Sequence, residues 1–170
     1  MSNTLECTNS CGLKWAFEKA DEIGVARDAR TAKQATVYEQ GTGAGKANVI
    51  YRAQIHLTLG YSVVDLNLKT LLDIYADAMG STSVKAIFFQ NRATGAGDNV
   101  RIGPQGCANP LSAPWGSVAA GYNLLGPGGI LDINNPIDGY AVTATAKTIR
   151  VQHSGITYPI DVDFAVLGVR

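Results

Sequence analysis

In the segment Tyr158-Pro159-Ile160-Asp161-Val162-Asp163-Phe164-Ala165-Val166, the apolar residues Tyr158, Ile160, Val162, Phe164 and Val166 hold one parity. Pro159, Asp161, Asp163 and Ala165 hold the other. Side chains alternate across a strand, so this pattern buries one face and wets the other. One-sided strands of this kind build antiparallel sandwiches and barrels rather than parallel sheets covered by helices. The alternation recurs between Ala47 and Leu59: Tyr51, Ala53, Ile55 and Leu57 face one way, and Arg52, Gln54 and His56 the other. Val84–Asn91 is apolar on both parities in its middle. It is therefore either a central strand or one whose second face meets another subunit, which makes Ile87 and Phe89 candidate partner contacts. Roughly eight such strands, separated by Gly, Pro and Asn clusters, predict an all-β fold. The expectation is an antiparallel, jelly-roll-like β-sandwich over residues 34–170.

Two stretches carry a different period. Leu68, Leu71, Leu72, Tyr75, Ala76 and Met79 fall on one helical stripe, with Asn67 placed to cap it and Gly80 to end it. Residues 1–33 read as an N-terminal arm with a short helix. Asn9 or Ser10 would cap it, Leu13, Phe17 and Ala20 would line it, and Gly24 would stop it. Val25–Lys33 is small, polar and patternless, so the arm is expected to lie outside the sandwich and to contact another chain.

The chain of 170 residues is long enough for one domain with its own core. Lysine and arginine total 14 and aspartate and glutamate 14, so no basic face is implied and nucleic acid is excluded as a partner. Charged residues make up 16%, against about 25% in typical soluble domains. Such a surface suits an assembly protein whose neighbours cover part of it. No apolar run is long enough to cross a membrane, and the first residues lack the basic and apolar stretches of a secretory signal. Cys7, Cys11 and Cys107 read as reduced thiols of a protein assembled in the cytoplasm, since a zinc site would want a fourth ligand and tighter pairing.

Motifs that would carry chemistry fail on inspection. Gly41-Thr42-Gly43-Ala44-Gly45-Lys46 invites a phosphate-loop reading, but Gln40 stands where the first glycine belongs and Ala47 where a hydroxyl belongs. A hairpin is the better reading. His56 and His153 have no nucleophile in a recognisable setting. Asp132, Asp138, Asp161 and Asp163, with Asn134 and Asn135, offer oxygen ligands to calcium, yet the Asp132–Asp138 loop is also typical turn chemistry. No catalytic residue, metal or cofactor is assigned. Trp115 and Tyr122, on the long loop after Gly103, are candidate partner contacts, with a lid over the sandwich core as the plainer role for Trp115.

Two sets of residues resemble a known group. One is Val64-Asp65-Leu66-Asn67-Leu68, then Val84-Lys85-Ala86-Ile87-Phe88-Phe89-Gln90-Asn91-Arg92, closing on Asp98–Gly103. The other is Gly126-Pro127-Gly128-Gly129-Ile130-Leu131, then Gly139-Tyr140-Ala141-Val142-Thr143, Ile149-Arg150-Val151 and Ile160–Gly168. This order resembles small β-sandwich virion structural proteins of tailed bacteriophages, over residues 35–168. The resemblance implies a non-enzymatic capsid decoration (cement) protein, located in the virion. Its implied partners are like subunits, with a trimer favoured, and the major capsid protein. A tail or fibre module binding a receptor or glycan is the alternative.

Overall fold

The computed structural model describes residues 7–21, 24–58, 62–72, 78–116, 120–155 and 158–170, with the backbone alone over 7–37 and at 40. The chain is all β. In order, the strands are β1 (Cys7–Asp21), β2 (Gly24–Gln40), β3 (Lys46–Ala47), β4 (Val49–Leu57), β5 (Val63–Asn67), β6 (Ser83–Asn91), β7 (Val100–Gly103), β8 (Asn123–Leu125), β9 (Ile130–Asn134), β10 (Tyr140–Ala141), β11 (Thr148–His153) and β12 (Ile160–Val169). Between β7 and β8, Ala113–Trp115 makes one 3-10 turn.

Two antiparallel sheets form the sandwich. In the first, β12 lies between β4 and β6, and β6 gives its other edge to β9 and β10; the second runs β5-β11-β7-β8. The pairings nest: β4 with β12, β5 with β11, β6 with β9, β7 with β8. The chain thus behaves as one long hairpin rolled so that successive pairs fall in alternate sheets. The inward parities meet in a single core. At its centre Phe89 and Phe164 stack with ring centroids 4.5 Å apart, and Tyr51 tilts against Phe164 at 5.5 Å. The predicted parity of β4 and β12 is the observed one: Ile55, Leu57, Ile160, Val162 and Phe164 are buried, and Arg52, Gln54 and His56 are exposed.

Four local expectations need correction. Over Leu68–Met79 the described residues form no helix. Asn67 does accept the Lys69 N–H on its side-chain oxygen at 3.1 Å, as a cap would, but the turn stops after one cycle. The chain then closes on itself, with Leu72 bridging Ala78 and Met79 N–H bonding the Leu71 carbonyl at 2.7 Å. Residues 73–77 of that stripe lie outside the described residues. The predicted N-terminal helix is instead strand β1, paired antiparallel with β2 from Cys7↔Tyr38 to Asp21↔Gly24. Its signal was Leu13, Trp15 and Phe17 at a spacing of two. Gln40–Lys46 is not a hairpin but a loop that brings β3 back parallel to β2. Thr94–Asn99, whose glycines read as a hairpin turn, instead joins β6 and β7 across the two sheets rather than within one.

The parity of β6 makes a direct test. Phe89→Ala opens the core and should cost about 3–5 kcal/mol of unfolding free energy. Phe88→Ala, on the half-buried outer face, should cost no more than about 1.5 kcal/mol. Urea unfolding of both variants measures this, and equal losses would contradict the packing described.

Candidate interaction surfaces

Of the four residues expected to meet a partner, the structure places two in the core. Ile87 and Phe89 are fully buried between the sheets, which corrects the expectation that they offer contacts. The opposite face of β6 carries Ala86, Phe88 and Gln90. Part of it is covered from within the chain: Tyr38 and Ala47 pack with Ala86 and Leu167, with Ile50 at the margin. The Tyr38 hydroxyl donates to the Lys85 carbonyl at 3.2 Å and also lies 2.9 Å from Asn134 Oδ1. The second apolar parity of β6 is thus partly explained by the base of the β1–β2 ribbon.

Beyond that patch the outer face of the five-stranded sheet is a mixed ladder of polar and apolar side chains set by strand register. Asp132, Phe88, Ala165 and Arg52 form one row, and Ile130, Gln90, Asp163 and Gln54 the next. Two pairs on it are matched across the face. Arg92 donates to Asp163 at 2.7 Å, and that carboxylate holds the guanidinium pKa above its ordinary value. His56 Nδ1 lies 2.8 Å from Asp161, across the β4–β12 pair. In the neighbouring loop, Asn135 accepts the Asp138 N–H and donates to the Gly139 carbonyl, and Asn134 donates to Asp132. These polar groups serve the turn. Among the described residues no three His, Cys, Asp or Glu side chains gather as a metal site.

The outer face of the other sheet is different. Its central row is Val63, Gln152, Arg101 and Leu124, and both ends are exposed aliphatic side chains. Gly103 lets the chain pass directly over this sheet: a Cβ there would lie 2.5 Å from the Gly121 carbonyl oxygen and 2.7 Å from Tyr122 Cα. Tyr122 is thereby set with its ring 5.1 Å from the Arg101 guanidinium, a cation–π pair, and remains 43% exposed. Trp115 packs half-buried against the core and donates from Nε1 to Asn123 at 2.6 Å, so it acts as a lid that also ties down the approach to β8. Sequence reasoning singled out Trp115 and Tyr122 but not Val63, Arg101 or Leu124, whose juxtaposition depends on the β5-β11-β7-β8 order.

On the same sheet Arg150 grips Asp65 with two bonds, 2.7 and 2.8 Å, and the carboxylate raises the guanidinium pKa. Cys107 lies close by, its thiol donating to the Pro104 carbonyl at 3.0 Å. Cys7 and Cys11 are on β1, where their side chains lie outside what the structure describes. No protein-family model matches the chain, and no curated protein or solved structure is significantly similar to it.

Cys107 has the character of a structural thiol. Burial, and then the Asp65 carboxylate, push its pKa above the ordinary thiol value, so the reactive thiolate is scarcer near neutrality. With Cys7 and Cys11 replaced by serine, iodoacetamide should modify Cys107 more slowly than free cysteine at pH 8. The rate should rise only as the pH passes above the usual thiol range. A rate equal to that of free cysteine would contradict it.

Proposed function

We propose that this chain is a non-enzymatic virion structural protein, a capsid decoration or cement protein that works by burying surface against like subunits and a shell. The observation that carries this reading is the β1–β2 ribbon. It runs through fifteen residue pairs, and among the described residues the two-residue β3 is the one further strand paired with it. At about 3.4 Å per residue it spans about 50 Å. A two-stranded ribbon is marginal by itself in water, so one this long is best accounted for by a neighbour that covers it.

The strand order supports the same class. We read the nested pairs in sheets β4-β12-β6-β9 and β5-β11-β7-β8 as a jelly roll, an architecture used by viral capsid and lectin domains. A homotrimer contacting a major capsid protein remains the favoured assembly by resemblance. The exposed Tyr122 ring and the lectin use of the same architecture favour the second reading, a receptor- or glycan-binding tail module.

Deleting residues 1–33 removes most of the ribbon and spares Tyr38. The truncated chain should stay folded by circular dichroism and fall to a smaller assembly by light scattering. Whatever binds only the assembled shell stabilises it by mass action, so particles lacking the chain should burst at lower temperature. Equal particle stability would reject the cement role, and loss of host attachment in its place would favour the receptor-binding reading.

A further inference from the structure

Where β6 ends and β12 begins, an open cleft of about 380 Å³ is lined by Arg92, Thr94, Asp98, Tyr158 and Asp161 together with small neighbours. Two of its three charged residues are already matched: Arg92 bonds Asp163, and Asp161 bonds His56. Asp98 is not. It is 3% exposed, its Oδ1 meets no donor among the described residues, and no basic side chain there pairs with it. The nearby His153 forms no hydrogen bond to it: Nδ1 lies 3.3 Å from the Thr58 carbonyl, and Nε2 is itself without a partner among the described residues.

The backbone holds the carboxylate in this position. The Asp98 carbonyl accepts from buried Asn91 at 2.8 Å, and its N–H reaches the Gly95 carbonyl at 3.3 Å. Room for the side chain comes from Gly95, where a Cβ would run into Oδ2. A nearly buried charge with neither counter-charge nor donor is costly. What would satisfy it is a ligand that brings positive charge and N–H donors together. Tyr158, 63% exposed, stands beside Gly95 and supplies an aromatic wall suited to such a cation.

We propose that this cleft binds a cationic organic group, a primary ammonium or a guanidinium, with Asp98 as its charge partner and the Tyr158 ring against its flank. A lysine or arginine side chain of a partner and a free small amine share that chemistry. The inference rests on the cleft alone and is independent of the assembly role.

Amide chemical shifts of the full chain, titrated with N-acetyl-lysine methylamide, N-acetyl-arginine methylamide and butylamine, provide the test. The norleucine analogue is the neutral control. Saturable shifts at Thr94–Asn99 and Tyr158–Asp161, with Kd on the order of millimolar, are expected. Asp98→Asn should weaken binding about tenfold or more and, because it removes an unmatched charge, should melt no lower than the wild type. Tyr158→Ala, at an exposed position, should weaken it about threefold and serves if the first variant does not fold. Tighter binding of the amino-acid derivatives than of butylamine would support a side chain as the source, and equal binding a free amine. The proposal is overturned by an absence of saturable shifts, by equal shifts with norleucine, by unchanged affinity in both variants, or by shifts with calcium or a neutral saccharide but not with amines.

Discussion

The pairing of β12 between β4 and β6 is the constraint from which the sandwich follows. The last strand, Ile160–Val169, is antiparallel to both neighbours, so the first and last strands of the body lie side by side and the third closes the row. Once β4 and β12 are joined, the strands between them can pair only inward, β5 with β11, then β6 with β9 and β7 with β8. The alternation of Ile160, Val162, Phe164 and Val166 makes that placement favourable, because a one-residue slip would turn all four away from the second sheet. Contacts so distant in sequence carry a large loop-closure cost, which puts such a fold among the slower ones to form.

The same strand explains how the ribbon is seated. Between Leu167 and Gly168 the register slips against β6, so that Ala86 faces Leu167, Val84 faces Gly168 and Lys85 is the extra residue. A bulge of this kind redirects side chains. Val84 joins the core beside Ile87, although strict alternation would set them on opposite faces. The Lys85 carbonyl accepts from Tyr38 and from Asn135, and its ammonium donates to the Ile137 carbonyl at 2.7 Å. One irregular residue therefore ties the ribbon base and the β9–β10 loop to the central strand.

The sandwich was legible because its strands obey a period of two over nine or ten residues, as β4 and β12 do. What was not legible turned on short apolar runs in which two periods compete. Leu13, Phe17 and Ala20 suit a helix, while Leu13, Trp15 and Phe17 suit a strand, and pairing with a distant partner decides between them. In the Leu68–Met79 stripe both end residues are buried, but from a turn that opens at Asn67 and is closed by the Leu72–Ala78 bridge. Asp98 was passed over as a turn residue. Its isolation arises from Asn91, Gly95 and His153, which no linear spacing brings together.

Charge placement then separates the surfaces suited to contact from those that are not. On the five-stranded sheet two outer pairs hold one another, Arg92 with Asp163 and His56 with Asp161. A partner docking there would have to displace or desolvate pairs that already hold one another, and exposed pairs of that kind return little on burial. The second sheet presents Val63 and Leu124 at the two ends of one row, with Tyr122 poised over Arg101 between them. Burying those side chains removes apolar surface from water, although the adjoining row of the same face holds the Arg150–Asp65 ion pair, and the Arg101–Tyr122 contact already fixes the ring, which lowers the entropy lost on docking. The apolar opportunity is thus confined to one row, Val63, Gln152, Arg101 and Leu124, beside the paired Arg150 and Asp65 on the sheet opposite the one that the ribbon base covers.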